Sequence, residues 1–258
     1  VDKSNTYRLD PHVPLVVAGV NHSEVREGTR LVANPNCTTI PLTLALAPIH
    51  RRWGIASVQV STYQAISGAG AATLDTFLEG SKAGYDRADR LGSNFDPSGY
   101  AGNVVPHAGN TDDRGFSSEE LKLVRESRKI LAADDLSISA QCCRVPVAVG
   151  HYEQVWLTTK RPTSLENLET LLEDGARSPW VKLSRGASGE GLSSLATTEH
   201  RDHALAGRMR PQLDDTTGTQ YCMTVAADNL RLGAATNAVR VAASWFPAVD
   251  PSLAATQS

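Results

Sequence analysis

Cys37 follows Asn34-Pro-Asn36, between a short aliphatic run (Arg30–Ala33) and a segment in which Ile40, Leu42, Leu44, Leu46 and Ile49 come after Thr38-Thr39 and Pro41. Capping threonines and an early proline mark the start of a helix, so the spacing puts the thiol at a helix's first turn. There it meets the positive end of the helix dipole, and its pKa is expected to fall toward the thiolate that nucleophilic catalysis needs. A single cysteine is more commonly a small buried hydrophobe, so the catalytic reading requires a partner base. His151, in Val149-Gly150-His151 between two strand-like segments, is the candidate, because cysteine and histidine far apart in sequence can meet as nucleophile and general acid/base. The other histidines are His12, His22, His50, His107, His200 and His203; His200 and His203 could share a helix face, but a third ligand is lacking and no metal is expected.

Arg144 has the planar fork that suits a carboxylate, with a surface salt bridge as the alternative. Strict alternation would put it and His151 on opposite faces of a strand, unless a turn at Pro146 or Gly150 resets the phase. Glu119 and Lys122, three apart on a capped helix, face one way and by themselves read as a solvated pair. Ser67-Gly-Ala-Gly70 can offer backbone N–H groups to a ligand but is not a complete dinucleotide fingerprint. The vicinal Cys142-Cys143 reads as strand packing.

These residues are separated by alternating patterns. Leu15–Val20 and Arg30–Ala33 read as short buried strands, and Ile55–Thr62 as a strand ending at Gln64 and the glycine turn. Ala71–Ala88 carries Leu74, Phe77, Leu78 and Tyr85 at helical spacing, followed by a polar loop from Gly92 to Arg114. Ser117-x-x-Glu120 is a capping box before a helix with a Leu121, Val124, Leu131 stripe. Leu136–Val149 and Tyr152–Thr159 read as consecutive strands of one sheet, Ser164–Leu172 as a helix, and Asp228–Phe246 as a terminal helix; from Ser184 to Thr219 periodicity is weak. The mixture predicts an α/β fold in which a mixed sheet is packed with helices on one face.

The 258 residues are 41% hydrophobic with 20 Gly, and carry a net charge of −3 with neither sign in a long block. That composition excludes disorder and gives no electrostatic reason to bind nucleic acid or an anionic membrane. No apolar run reaches the length that spans a bilayer, and four cysteines without a C-x-x-C pair fit a reducing compartment, so a cytoplasmic location is expected.

Four motifs in order, Ala33-Asn-Pro-Asn-Cys-Thr-Thr-Ile40, Ser61-Thr-Tyr-Gln-Ala-Ile-Ser-Gly-Ala-Gly70, Arg144-Val-Pro-Val-x-x-Gly-His151 and Ala227-Asp-Asn-Leu-Arg-x-Gly-Ala-Ala235, make the sequence resemble the aspartate-semialdehyde dehydrogenase family. The resemblance implies Cys37 as acyl-thioester nucleophile, His151 as acid/base and Gln64 as the residue that positions the substrate carbonyl. It implies Arg144 and Glu119 as holders of the amino acid's carboxylate and amine, Arg8, Asn36 and Lys122 as the groups around phosphate, and Ser67, Gly68 and Asn229 as contacts to the nicotinamide end of NADP. The implied reaction is NADPH-dependent reductive dephosphorylation of 4-phospho-L-aspartate to L-aspartate 4-semialdehyde, which serves diaminopimelate, lysine, threonine and methionine synthesis. A homodimer is implied as well. The family's opening strand and phosphate-cradling glycine turn have no counterpart here, so residues 1–36 read as the remnant of a Rossmann-like NADP-binding domain, 37–227 as the catalytic and dimerisation domain, and 228–258 as a C-terminal helix returning to the first. Two alternatives stay open: a shortened, non-catalytic homologue that binds or regulates a full-length partner, and a related acyl-phosphate reductase such as that for N-acetylglutamyl phosphate.

Overall fold

The structure is a computed structural model that describes residues 1–82, 99–106, 108–186 and 188–245. Its centre is a six-stranded mixed sheet. In chain order, helix α1 (Thr39–Trp53) leads into β1 (Ile55–Gln64), a 3-10 turn (Ile66–Ala69) and α2 (Ala71–Lys82). Then come α3 (Ser118–Leu131), β2 (Ser137–Arg144), β3 (His151–Thr159), α4 (Leu165–Glu173), β4 (Val181–Ser184), β5 (Ala204–Pro211), β6 (Gln220–Ala227), a π-helical segment (Arg231–Thr236) and α5 (Asn237–Trp245). The strand order is β2-β1-β3-β6-β5-β4. β2 runs parallel to β1, and β3 antiparallel to it, so the end of β1, the end of β2 and the start of β3 share one edge of the sheet.

Every residue of α1 from Thr39 to Ile49 is buried, so this helix is held by packing all round rather than by an amphipathic stripe. It stops at Gly54, whose φ of 69° lets its N–H turn back to the His50 carbonyl. On the sheet face under the helices, Val58, Val60, Val155 and Leu157 join Leu42, Leu46 and Ile49 in one core. The opposite face is more open, with Tyr63 and Trp156 each more than a third exposed.

The strand of Tyr152–Thr159 is found, but Leu136–Val149 is two things: β2 ends at Arg144, and 145–150 cross the sheet edge to reach β3 on the other side of β1. That crossing is the phase reset that alternation alone left open. Leu15–Val20 and Arg30–Ala33 are not strands; their aliphatic residues other than Leu31 are buried, but Leu15 and Ala33 form only an isolated bridge, without the successive pairs a ladder needs. The capping box at Ser117 forms as expected, yet the buried line of α3 is Leu123, Glu126, Ser127 and Ile130, while Leu121, Val124 and Leu131 are half-buried. Glu120 explains the rotation: one oxygen accepts from Ser117 N–H at 2.7 Å and the other from Cys142 N–H at 3.0 Å, which pins the helix to β2. β5 falls in the weakly periodic stretch, where Ala-Leu-Ala-Gly has no β-branched residue to signal a strand. The terminal helix is two segments, one π-helical. Tyr85, His107 and Phe246 lie outside the described residues.

One buried group in the sheet stores a cost. Glu153 faces the core between Thr62 on β1 and Val225 on β6, is fully buried, and neither carboxyl oxygen has a hydrogen-bond partner. Burial pushes its pKa well above the usual glutamate range, so the folded chain holds it as a neutral acid. Below the ordinary value both folded and unfolded forms are protonated; above it only the unfolded form releases the proton, and stability falls as pH rises. Glu153→Gln should therefore gain stability relative to the parent between about pH 5 and about pH 8 in urea unfolding. A pH-independent difference would contradict a neutral Glu153.

Candidate functional site

Cys37 precedes α1 by two residues. The turn that presents it is closed by Asn36, whose Oδ1 accepts from the Thr38 N–H at 3.0 Å and the Thr38 hydroxyl at 2.7 Å. Thr38 is the N-cap residue, but its own side chain makes no capping bond; Asn36 does that work. From behind, Gly233 of the π-helical segment packs so closely that an added Cβ would lie 2.9 Å from the Cys37 Cβ. The Cys37 Sγ stands 3.1 Å from His151 Nε2.

The ring of His151 is oriented by a backbone donor. Ala65 N–H donates to Nδ1 at 3.0 Å, so that nitrogen must offer a lone pair, and a neutral imidazole then carries its proton on Nε2, facing the sulfur. The carbonyl of the same Ala65 accepts from Arg144 Nη1 at 2.8 Å. Gln64 pairs directly with Arg144 in the β1–β2 ladder, and its Nε2 donates to Thr62 Oγ1 at 3.2 Å. Gly150, at φ 102°, allows the approach to β3: a Cβ there would meet the Ser194 carbonyl at 2.4 Å. Arg144, Gln64 and His151, all buried, thus form a row across the sheet edge beside the helix-start thiol.

The electrostatics differ from the dipole expectation. Burial, and next the Glu119 carboxylate, push the Cys37 thiol up to about 12, against the opposing pull of Arg144, its own backbone N–H and Arg8. Burial and the Arg144 cation take His151 down to about 3. At rest the pair is thiol and neutral imidazole, since desolvation outweighs a half-charge at a helix end.

A second group of polar residues lies on the other side of Cys37. Asn36 Nδ2 donates to Glu119 Oε2 at 2.9 Å, and Lys122 Nζ bonds Glu119 Oε1 at 2.7 Å. The pair is mostly buried, not a solvated surface pair. Arg8 Nη1 donates to Glu126 at 3.0 Å, Glu126 also accepts from the Asn36 N–H at 2.6 Å, and Arg8 Nε is buried without a partner, a donor left for a ligand. Lys129 holds the Arg8 loop by donating to the carbonyls of Arg8, Asp10 and Val13.

Ser67 and Asn229 are joined, Nδ2 to Oγ at 2.9 Å, and Asn229 Oδ1 accepts from Gly150 N–H, so the asparagine amide is spent on positioning the turn. Gly68 is exposed and lies against both Arg144 and His151; a Cβ on it would come within 3.0 Å of Arg144 Nη1 and 3.2 Å of His151 Cε1. The missing side chain of this glycine is what lets the turn lie directly against Arg144 and His151. A cavity of about 800 Å³ lies elsewhere, at the far end of α1 beside Arg51, Trp180 and Arg240. Among the described residues no group of His, Cys, Asp and Glu could hold a metal ion, and no helix is long and apolar enough to cross a membrane.

The family model described as "Semialdehyde dehydrogenase, dimerisation domain" matches residues 46–232. The chain is 36% identical to an aspartate-semialdehyde dehydrogenase of Aquifex aeolicus, across 94% of this chain and 70% of that protein. The chain belongs to the aspartate-semialdehyde dehydrogenase family. A Bacillus subtilis aspartate-semialdehyde dehydrogenase is 33% identical across 95% of this chain and 71% of its own length. The crystal structure of aspartate semialdehyde dehydrogenase II from Vibrio cholerae superposes with a TM-score of 0.86 at 33% identity, covering 96% of this chain and 72% of that one.

For an aspartate-semialdehyde dehydrogenase, all the residues expected from sequence to act together are brought to one edge of the sheet, in two groups flanking Cys37. Sequence reasoning missed three contributors. Glu126 ties Arg8 to Asn36; an acidic residue on the line of Leu123 and Ile130 was the available signal. The Ala65 peptide orients His151 and Arg144 and leaves no trace in side-chain identity. Gly233, inside the last of the four motifs, gives Cys37 its space. Gly233→Ala should displace Cys37 and lower kcat more than tenfold, with a stability loss of about 1–3 kcal/mol from overpacking. Unchanged kcat with the substitution accommodated would contradict the contact.

Proposed function

We propose that this aspartate-semialdehyde dehydrogenase uses Cys37 as its nucleophile, with His151 as the proton-bearing partner of the sulfur. The 3.1 Å approach of Sγ to Nε2 carries the reading. The family's reaction converts 4-phospho-L-aspartate to L-aspartate 4-semialdehyde with NADPH. Once its proton has passed to solvent, Cys37 attacks the acyl carbon as the thiolate, the C–S bond forms, and phosphate leaves with the bonding pair of the broken C–O bond, giving a thioester. His151 keeps Nε2–H opposite the sulfur, stabilising its negative charge before that bond forms and again when it breaks to release the aldehyde. Gln64 positions the carbonyl. Arg144 takes the α-carboxylate and Glu119 the α-ammonium; Arg8, with its free Nε, holds phosphate together with Asn36 and Lys122. Ser67, Gly68 and Asn229 fit the nicotinamide end of NADPH, which supplies hydride to the acyl group when bound.

In the reading of domains that goes with it, residues 1–36 and the chain from 228 onward form the cofactor side and 37–227 the catalytic side. Supporting this, Val16, Ala18, Val32 and Val241 make a small core of their own, and Asn237 of α5 bonds to Val16, Ala18 and Asn34. The chain also acts as a homodimer, pairing through the open face of the sheet, where Tyr63 and Tyr152 stack edge to face and Trp156 is exposed.

NADPH formation from L-aspartate 4-semialdehyde, phosphate and NADP should be abolished in Cys37→Ser; equal rates in parent and variant would remove Cys37 as nucleophile. Light scattering should give twice the chain mass for the parent and the mass of one chain for Trp156→Glu. A dimer indifferent to that substitution would put the interface elsewhere.

A further inference from the structure

The nucleophile is connected to a carboxylate by a single amide. The Cys37 Sγ lies 3.8 Å from Asn36 Oδ1, the nearest acceptor for a thiol proton, while the Nδ2 of the same amide donates to Glu119 Oε2 at 2.9 Å. A carboxylate pulling on one end of an amide makes the oxygen at the other end a better acceptor, so the chain of bonds favours S–H over thiolate. Coulomb repulsion acts in the same direction across that short distance. The other groups around the sulfur are Arg144 and Arg8, which favour the anion, the neutral ring of His151, and Glu126, whose charge is taken up by Arg8 and the Asn36 N–H. Lys122 offsets Glu119 only in part: it engages Oε1 and leaves Oε2 on the amide.

We propose that Glu119 is an electrostatic gate on Cys37: with Lys122 alone on Oε1, its carboxylate holds the thiol protonated through Asn36, and a second ammonium group arriving at that carboxylate releases the nucleophile. The gate rests on reading Cys37 as nucleophile and Glu119 as the amine site. It makes amine recognition a condition of reactivity as well as of affinity. An acyl phosphate without a free ammonium would meet a protonated thiol. On release the proton passes to solvent, and the electron pair stays on sulfur.

The test is the alkylation rate of Cys37 by iodoacetamide in the full chain, followed by the mass of the Cys37 peptide so that Cys142, Cys143 and Cys222 do not contribute. In that reaction the thiolate forms the C–S bond and iodide leaves, so the rate reports the thiolate fraction. Glu119→Gln, which keeps the shape and an acceptor for Asn36, should speed alkylation roughly tenfold, the effect of about one pKa unit. Lys122→Met should slow it, by leaving Glu119 uncompensated. Methylammonium should speed the parent toward the Glu119→Gln rate and have no effect on that variant. Alkylation of Glu119→Gln that is unchanged or slower than in the parent would overturn the gate, even if substrate affinity were lost. Faster alkylation with an unchanged KM for the semialdehyde would overturn the amine site on which release depends.

Discussion

The backbone of one residue, Ala65, holds two of the site's side chains. Ala65 N–H donates to His151, and the Ala65 carbonyl accepts from Arg144. Because β1 pairs with β2 on one side and β3 on the other, the residue just past the end of β1 lies between the two functional ends of its neighbours. A one-residue slip in the β1–β2 ladder would turn Arg144 to the open face of the sheet, and one in the β1–β3 ladder would do the same to His151. Protonating His151 would set an Nδ1–H against the Ala65 N–H, so the same contact that fixes the ring's direction also keeps it neutral.

Around that row the structure accepts the cost of buried charge. Glu126 is almost wholly buried, and desolvation pushes its carboxyl up despite Arg8 and the Asn36 N–H. Such a network adds little net stability; what it provides is geometry, because removing one member leaves another charge buried and unpaired. Here it holds Arg8 and the peptide preceding Cys37 at fixed positions relative to α1. Gly233 and Gly150 serve the same end by omission, each leaving room that a Cβ would fill.

Much of this was legible in the residues. The capping box at Ser117, the helix after Cys37, the strand ending at Gln64 and the glycine turn follow local rules of spacing and stereochemistry, and they hold. What local rules cannot see is which elements become neighbours. Arg144 and His151 looked out of phase because alternation assumes one strand, and the chain instead crosses the sheet edge. Glu119 and Lys122 looked like a surface pair because nothing in their spacing indicates that Asn36 would cover them. The lowered thiol pKa expected from the helix dipole failed for a related reason: the dipole is a property of one helix, whereas desolvation is set by everything packed around it.

In the proposed mechanism Cys37, opposite His151 Nε2, takes the acyl group. The direct measurement is the mass of the Cys37 peptide after the full chain is mixed with 4-phospho-L-aspartate, without NADPH, and quenched in acid. The prediction is an aspartyl adduct on Cys37, labile to hydroxylamine as a thioester is, and absent from Cys37→Ser. An adduct on another residue, or none from folded protein that binds the acyl phosphate, would contradict it.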